Sequence, residues 1–362
     1  TVVMSPGDKA VVEINGSEDC VLFLFANPLE TGKPSKEDPN VLYCEAGTVT
    51  DLKTLTLKSG QTLYIEGGAV VKSVLKALDA PDVTVKGCGI LDARGIDARG
   101  IQFQRTDNLR IEDIVLLNDI NWSTFISESD NVNISNYKVV AVENPNNKTG
   151  CENDALDILG CQNVTVKGCF GYAHDDVFCI KSQKWTYKGE VKNVRFEDCI
   201  AWNYLSGNSF VIGAETNENI SGVTYRNCQS IHSAGRGTDN TLSRGGLSIH
   251  HCAGGHISDI LFENIVLEDC KEYGIHLDIR KSYVKDLGTG VTYSPGTCDG
   301  VTLRNVTLLK KAPCGNVLMG YDSDHKITGV VFDNVVQEGV KFTKDNVKSF
   351  FTTWSNAECT VR

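Results

Sequence analysis

Two short acidic motifs contain the residues best suited to chemistry in this chain. The first is ENDALDI (152–158), which contains Asp154 and Asp157, and the second is HDDVFCIKS (174–182), which contains Asp175 and Asp176. Asp154 and Asp175 are 21 residues apart. Carboxylates that lie close together repel one another and raise each other's pKa. Such a cluster is typical of a metal site or of an acid–base catalyst.

Glycoside hydrolysis is one reaction that needs such a cluster. A protonated carboxyl must protonate the leaving oxygen, and an ionised carboxylate must activate water or attack the sugar. Coupled aspartates can supply both states at one pH. The competing interpretation is that each aspartate is a turn or cap residue, a position that aspartate favours. The pairing of two motifs at this spacing favours the catalytic interpretation.

A repeated segment predicts how the two motifs are positioned. Each copy begins with Asn, Asp or Gly, carries apolar residues at its second and fourth positions, and ends in an apolar residue or Cys. The copies are DVTVKGC (82–88), NLRIEDI (108–114), NVNISNY (131–137), NVTVKGC (163–169), NVRFEDC (193–199), GVTYRNC (222–228), DILFENI (259–265), GVTLRNV (300–306) and GVVFDNV (329–335). Alternation with a period of two indicates a half-buried strand. Such units bury their apolar faces only by stacking, so we predict an all-β right-handed parallel β-helix of roughly ten coils, with the acidic motifs side by side.

The two ends of the chain lack this repeat. We expect residues 1–50 to form N-terminal capping strands and a linker, residues 51–340 to form the β-helix that carries the site, and residues 341–362 to form a C-terminal tail or cap. Covering elements are expected because an exposed end of a β-helix is an open sheet edge.

Composition excludes some classes of partner. The net charge of −11 disfavours nucleic acid, whose phosphates need clustered Lys and Arg. No apolar run is long enough to cross a membrane, and Thr1–Ala10 shows no signal peptide. Fourteen cysteines suggest disulfides, but four of them share a repeat position with Ile and Val and are predicted to line the core: Cys88, Cys169, Cys199 and Cys228. Pairing stays open for cysteines outside that position: Cys20, Cys44, Cys298, Cys314 and Cys359.

These features resemble the pectin-cleaving polygalacturonases and the related dextranase and isopullulanase family. The resemblance spans roughly residues 57–335 and includes LKSGQTLYIEGGAVV (57–71), VKGCGILDARG (85–95) and NWSTF (121–125). ENDALDI matches the family's N-T-D-G-x-D motif at Asp154 and Asp157, and HDDVFCIKS matches its G-D-D-x-x-x-x-K-S motif at Asp175, Asp176, Lys181 and Ser182. The resemblance implies Asp175 as the general acid and Asp154 and Asp176 as the residues that hold and activate water. It also implies inversion without a covalent intermediate, and neither metal nor cofactor.

Two departures from the family pattern bear on the substrate. The histidine of the polygalacturonase G-H-G motif is replaced by Asn208, and the Arg and Lys of its R-I-K motif are replaced by Ser248 and His250. That basic pair grips the substrate carboxylate in the family, and its loss favours a neutral sugar at the cleavage site over galacturonate. The dextranase side of the family resembles this chain in lacking the histidine. Those enzymes carry a longer N-terminal β-sandwich, of which residues 1–50 would be a remnant.

Further residues are predicted to contact a carbohydrate substrate, either through polar groups or by stacking an aromatic ring on a sugar. They are Lys181, Asn208, Glu215, His250, Trp122, Trp185 and Asp157. Tyr187, Trp202 and Tyr204 are also expected in loops near the aspartates, and His251, His276, Asp278 and Arg280 are expected along the far side of the cleft.

Two other functions remain open from the sequence. A uronate-specific polysaccharide lyase would use a basic residue and bind Ca²⁺ with the aspartates. A non-catalytic carbohydrate-binding β-helix would bind glycan without cleaving it. Because polymeric glycans are met outside the cytoplasm, we expect a secreted or periplasmic protein, and we make no prediction of its oligomeric state.

Overall fold

The described chain is built almost entirely of short parallel strands that wind into a helix of stacked coils. The computed structural model describes residues 1–142, 153–233, 244–280 and 294–362. Equivalent strands of successive coils pair in parallel and in register, as when Val164 pairs with Val194 and Val194 with Val223. The prediction of a right-handed parallel β-helix is confirmed. None of the helical segments among the described residues has the length and apolar character that a membrane crossing requires.

The coils form three sheets. Sheet 1 consists of Val41–Cys44, Thr62–Ile65, Thr84–Lys86, Arg110–Glu112, Asp130–Ser135, Gln162–Lys167, Val191–Glu197, Ile220–Arg226, His256–Cys270, Thr297–Leu308, Ile327–Asp333 and Ala357–Val361. Sheet 2 consists of Val49–Thr56, Val70–Leu78, Ile90–Asp92, Val115–Asn118, Lys138–Ala141, Phe170–Ala173, Ile200–Asn203, Gln229–Ser233, Val336–Gln337 and Val340–Lys341, with the last parts of His256–Cys270 and Thr297–Leu308. Sheet 3 continues from Val70–Leu78 through Ile101–Gln104, Thr124–Ser127, Leu156–Leu159, Phe178–Ser182, Phe210–Thr216, Gly245–His251, Tyr273–Ile279, Asn316–Met319 and Phe351–Ser355.

Apolar side chains stack in files inside the coils. Phe196, Tyr225 and Phe262 form one file, with parallel rings whose centroids are 4.7 and 5.3 Å apart. Aromatic burial of this kind contributes on the order of 0.5–1.5 kcal/mol per pair beyond the area buried. Three of the four repeat cysteines are buried as predicted, at Cys169, Cys199 and Cys228, whereas Cys88 is half-buried. Every cysteine that the structure describes is a free thiol, so the pairings left open for the others do not form.

An asparagine ladder turns the chain at the end of the sheet 1 repeat. Asn227, Asn264, Asn305 and Asn334 all adopt a positive φ of 51–56°. Asparagine tolerates this left-handed region because its short side chain bonds locally. Each amide nitrogen donates to the side-chain oxygen of the preceding asparagine in the ladder, over 2.9 Å. The asparagine in segments such as RNC (226–228) and ENI (263–265) therefore marks where the chain turns.

The N-terminal prediction needs correction in two respects. The β-helix starts before residue 51, because Val41–Cys44 and Val49–Thr56 already pair in parallel with later coils. The hairpin of Lys9–Glu13 and Val21–Phe25 lies on the outer face of sheet 2 and does not cap the open end. Phe23 packs there at 5.6 Å from Phe170, between ring centroids. Sheet 2 exposes an apolar outer stripe, and burying it stabilises the hairpin in this position.

The C-terminal segment is partly coil and partly cover. Phe351–Ser355 and Ala357–Val361 extend sheets 3 and 1 by one more coil, so the predicted boundary at residue 341 does not end the helix. The rings of Phe342 and Phe350 stack with centroids 4.3 Å apart beside Phe332, and they close the end of the core. Residues 341–362 therefore act as a cap only in the turn that contains Val347–Phe350.

Candidate active site

Five polar or aromatic side chains share one position of the coil, two residues before a strand of sheet 3. They are Arg99, Trp122, Asp154, Asp176 and Asn208. The residues that follow them by two are paired in register across sheet 3: Ile101, Thr124, Leu156, Phe178 and Phe210. Because neighbouring strands lie about 4.8 Å apart, these five side chains follow one another along a single edge of the helix.

The two acidic motifs lie side by side, as predicted. The Asp175 amide donates to the Asn153 carbonyl over 3.3 Å, and the Ala155 amide donates to the Asp176 carbonyl over 2.9 Å. Asp154 is almost completely buried, at 2% exposure, while Asp175 and Asp176 are partly exposed. Glu152, the first letter of ENDALDI, lies outside the described residues. The coil spacing therefore produces a cluster of three aspartates with an opening to solvent.

Lys181 lies in the middle of this cluster. Its ammonium is 2.7 Å from Asp154 Oδ2, 2.7 Å from Asp157 Oδ1 and 4.0 Å from Asp176 Oδ2. Burial alone would lower the pKa of Lys181, but the charges of Asp154 and Asp157 outweigh it and hold this pKa well above its ordinary value. The ammonium therefore stays charged and reduces the repulsion among the aspartates.

Asp157 was predicted to bind substrate, and the structure contradicts this. Its side chain has 0% exposure and accepts the hydrogen bond from Lys181. Alternation along the strand Leu156–Leu159 directs this carboxylate to Lys181 rather than to solvent. Lys181 is itself only 5% exposed, so its main contacts are with the aspartates rather than with a ligand.

Asp175 and Asp176 are adjacent in sequence but differ in their surroundings. Burial raises the pKa of the Asp175 carboxyl well above its ordinary value, and the charges of Asp154 and Asp176 add to this effect. Burial also raises the pKa of Asp176, but Lys181 and the Asn208 amide oppose the rise. Asp176 Oδ1 accepts the Asn208 backbone N–H at 2.9 Å and the Asn208 side-chain N–H at 2.8 Å. Hydrogen bonds of this kind favour the ionised form, so Asp175 is the better proton donor and Asp176 the better carboxylate.

Gly207 allows the next coil to approach the aspartate pair. A Cβ at this position would lie 2.2 Å from Asp175 Oδ1 and 2.6 Å from the Asp176 nitrogen. Gly207 also has a φ of +82°, in the left-handed region that favours glycine. Asn203 supports the same turn, because its amide donates to the carbonyls of Asp175 and Ser206.

A chain of hydrogen bonds extends from Asp176 across two more coils. Asn208 Oδ1 accepts the Gly245 backbone N–H at 2.8 Å, which identifies it as the oxygen, and it also lies 3.2 Å from His250 Nε2. His250 Nε2 must therefore carry a proton. His250 Nδ1 lies 3.0 Å from the Asp278 carboxylate, which holds the ring from its other side.

Asp278 is the buried carboxylate that anchors the His250 ring. Burial alone would raise the pKa of Asp278, but hydrogen bonds from His250 and His276 lower it below its ordinary value. Arg280 donates to the same carboxylate. The His250 ring, held by Asp278, therefore orients the Asn208 amide toward Asp176. His250 was predicted to contact substrate, and at 5% exposure it acts chiefly through Asn208.

The aromatic candidates fall into two groups. Trp122 lies at the site, with its ring centroid 4.1 Å from the Lys181 ammonium. Trp185 is half-buried after the strand Phe178–Ser182, and Glu215 is half-buried on Phe210–Thr216. Trp202 was expected in a loop near the aspartates, and this is wrong, whereas Tyr204 does lie in a loop, with its ring centroid 5.3 Å from that of His174. Trp202 is fully buried in the strand Ile200–Asn203 under the N-terminal hairpin, and Tyr204 packs beside that same cluster.

Sequence reasoning missed Arg99. Its guanidinium carbon lies 4.1 Å from the Phe125 ring centroid and 4.8 Å from that of Trp122, and its Nη1 donates to Tyr187 Oη over 3.3 Å. Arg99 lies outside the two acidic motifs, which directed attention away from it. Its position in the repeat could have identified it. Arg99 lies two residues before a strand of sheet 3, and Asp154 occupies the same position two coils later.

Two groups among the described residues have the ligand atoms to hold a metal ion. One is His250, His276 and Asp278, and the other is Glu18, His232 and Asp269. Each already contains a cationic side chain, because Arg280 donates to Asp278, and Lys271 lies 2.8 Å from both Glu18 and Asp269. Both groups are therefore best described as ion-pair networks.

Comparison with known proteins identifies the family. The pattern of the family described as "Glycosyl hydrolases family 28" matches residues 86–356. The chain belongs to this family. The match includes both acidic motifs and all five residues of the aligned edge from Arg99 to Asn208, so the resemblance to polygalacturonase-like enzymes is confirmed.

Curated relatives of this family 28 chain include two polygalacturonases. A probable endopolygalacturonase D of Neosartorya fischeri is 27% identical over an alignment of 257 residues that covers 66% of this chain and 47% of that protein. An exopolygalacturonase of Arabidopsis thaliana (clone GBGE184) is 27% identical over an alignment of 193 residues that covers 51% of this chain and 40% of that protein. The chain thus spans about half or less of the length of these relatives.

Solved structures share the fold at low sequence identity. The polygalacturonase from Erwinia carotovora has a TM-score of 0.60 and 18% identity, with 86% of each chain covered. Dex49A from Penicillium minioluteum has a TM-score of 0.62 and 15% identity, with 94% of this chain and 67% of that chain covered. Both likenesses show the β-helical fold alone.

Proposed function

We propose that the protein is a glycoside hydrolase that cleaves a poly- or oligosaccharide by single displacement with inversion. The observation that carries this proposal is the difference in surroundings between Asp175 and Asp176. One carboxyl is held toward its protonated form by burial and neighbouring charge, and the other receives two hydrogen bonds from Asn208. Two carboxyls with different proton affinities are what acid and base catalysis of glycoside cleavage requires.

Each aspartate has a defined task in this mechanism. Asp175 donates its proton to the glycosidic oxygen as the bond to the anomeric carbon breaks. Asp176 and Asp154 orient a water molecule and take its proton as its oxygen bonds to the anomeric carbon from the opposite face. The Lys181 ammonium holds the Asp154 carboxylate in place through the contact of 2.7 Å. Asp175 loses one proton and the pair of Asp176 and Asp154 gains one, so the number of protons on the enzyme is unchanged. Proton exchange with solvent then returns each carboxyl to its starting protonation state.

We propose a neutral sugar at the cleavage site itself. Ser248 and His250 stand where the family pattern has a basic pair, and neither offers a free cation. The Ser248 hydroxyl donates to Asn208 over 2.7 Å, and the His250 ring is held by the Asp278 carboxylate at 3.0 Å. Trp122, Trp185 and Glu215 remain proposed contacts to the sugar. Because such polymers are met outside the cytoplasm, we propose a secreted or periplasmic location, which fractionation of the producing cells tests.

The decisive experiment is Asp175→Asn assayed on a panel of neutral and acidic glycans, with the product anomer followed by NMR. Removing a general acid is expected to lower kcat by about 10²–10⁴-fold. Asp259→Asn is the matched control, because Asp259 is an exposed residue of the sheet 1 strand His256–Cys270. Near-normal turnover by Asp175→Asn on the true substrate would refute the assignment, as would a product of retained configuration.

The geometry gives less support to the other two functions. A lyase would have to bind Ca²⁺ with these aspartates. The Lys181 ammonium already lies within 4.0 Å of Asp154, Asp157 and Asp176, so the calcium ion would lie next to a second cation. Like charges at this separation repel strongly in a buried site. A purely binding protein has no need of a carboxyl with a raised pKa. Unsaturated products, or glycan binding without cleavage by the wild type, would favour these alternatives.

A further inference from the structure

Within the part of the chain that the structure describes, Arg99 is a cation without an acidic partner, in a protein that is acidic overall. Among the described residues its guanidinium contacts the rings of Trp122, Phe125 and Tyr187 and hydrogen-bonds to the Tyr187 hydroxyl, but it forms no ion pair. It is half-buried. A partly desolvated guanidinium interacts with an anion more strongly than a fully hydrated one does.

The position of Arg99 relates it to the catalytic residues. It occupies the coil position of Asp154, two coils earlier along sheet 3, with Trp122 on the coil between them. Two coils correspond to about 10 Å along the helix axis. The Trp122 ring lies between two cations, Lys181 at 4.1 Å and Arg99 at 4.8 Å from its centroid. Lys181 is neutralised by the aspartates, whereas Arg99 keeps an unbalanced positive charge.

We propose that Arg99, together with Trp122 and Tyr187, forms a subsite for the carboxylate of an acidic sugar, next to the neutral cleavage site. Arginine presents a planar fork of N–H donors that matches a carboxylate. The aromatic rings hold this fork in place and offer a face for a sugar ring to pack on. The substrate is then a glycan in which an acidic sugar occurs near a neutral one.

This inference rests on the proposed function for the place of the cleavage site. It also explains how a family 28 chain could recognise an acidic glycan after losing the basic pair at positions 248 and 250. In this chain the cation proposed to bind the substrate carboxylate, Arg99, lies on the N-terminal side of the aspartates. Arg244 and Arg280, on the other side, lie near Glu272 and Asp278.

Binding to an uncleaved oligosaccharide tests the subsite. The probe is an oligosaccharide in which galacturonate alternates with a neutral sugar, compared with the same compound after its carboxyl groups have been reduced to alcohols. Titration calorimetry uses the Asp175→Asn variant, so that little of the compound is cleaved during the measurement. We expect the acidic form to bind about 10- to 100-fold more tightly, since a charged hydrogen bond contributes on the order of 1.5–3 kcal/mol. High salt is expected to reduce this preference.

Substitution of Arg99 assigns the effect. Arg99→Gln is expected to abolish the preference for the acidic form, and Arg99→Lys, which keeps the charge without the fork, to retain part of it. Arg110→Gln is the control, because Arg110 is exposed on sheet 1. Melting curves confirm that each variant is folded.

The outcomes separate this inference from the proposed function. Equal binding of the acidic and reduced compounds, or a preference that survives Arg99→Gln, would overturn the subsite even if the enzyme cleaves glycans. An Arg99-dependent preference without cleavage of any glycan by the wild type would refute the hydrolase and leave the subsite standing.

Discussion

Replacement of Gly207 by alanine is expected to displace the two catalytic aspartates without changing any charge. The added Cβ would lie 2.2 Å from Asp175 Oδ1, whereas ordinary contacts begin at 3.4 Å. The Asp176 nitrogen, at 2.6 Å, prevents relief by a side-chain rotation alone. The turn that holds Asp175 and Asp176 must therefore move by about 1 Å, a displacement that can lower turnover about 10²-fold.

Part of the effect of this substitution is on stability. Alanine at a φ of +82° costs about 1–2 kcal/mol in the folded state, whatever its neighbours. Gly60 provides the matched control, because its φ is +73° and a Cβ there meets nothing within 4 Å. In urea unfolding, the strained backbone is expected to lower the free energy of unfolding of both variants by a similar amount. The clash should lower that of Gly207→Ala further.

The assay compares kcat and KM of both variants with those of the wild type on the glycan that the panel identifies. Gly207→Ala is expected to lose about 10²-fold in kcat, and Gly60→Ala to keep wild-type kinetics. A Gly207→Ala variant that remains folded and turns over as fast as Gly60→Ala would refute the reasoning that the close approach of the coils positions the aspartates.

Three further predictions follow from the same site. Lys181→Met leaves buried carboxylates without their cation and is expected to lower the free energy of unfolding by about 3–5 kcal/mol. Lys167 has a side chain that is 60% exposed, so Lys167→Met should change the free energy of unfolding by about 0.5 kcal/mol or less. Because folding raises the pKa of Asp175, wild-type stability should fall as pH rises through that raised pKa, and Asp175→Asn should be the more stable protein at pH 8 but not at pH 4, measured by urea unfolding. His250→Gln removes the ring that orients Asn208 and should lower kcat about 10- to 100-fold with little change in KM, and unchanged kcat would contradict its positioning role.

The repeat and the acidic motifs could be predicted from local sequence because each follows a local rule. Alternating apolar residues and an asparagine at the turn specify a strand and its end, and the same pattern in every coil specifies stacking. Asp154 and Asp176 lie on neighbouring coils for the same reason, since their strands pair in register. Trp202 was misassigned because alternation reveals two faces of a strand but not what covers the outer one.

What the sequence alone determined is the coil and the position of the aspartates within it, because both depend on spacing along the chain. The tertiary structure decided the rest: the hairpin against sheet 2, the Lys181 ammonium among three carboxylates, the contact of His250 with Asp278, and the Arg99 guanidinium among aromatic rings. These depend on contacts between residues far apart in sequence, whose side-chain directions and burial no local pattern encodes. Proton affinity in turn depends on burial and on neighbouring charge, so the division of labour between Asp175 and Asp176 arises only when the coils are stacked.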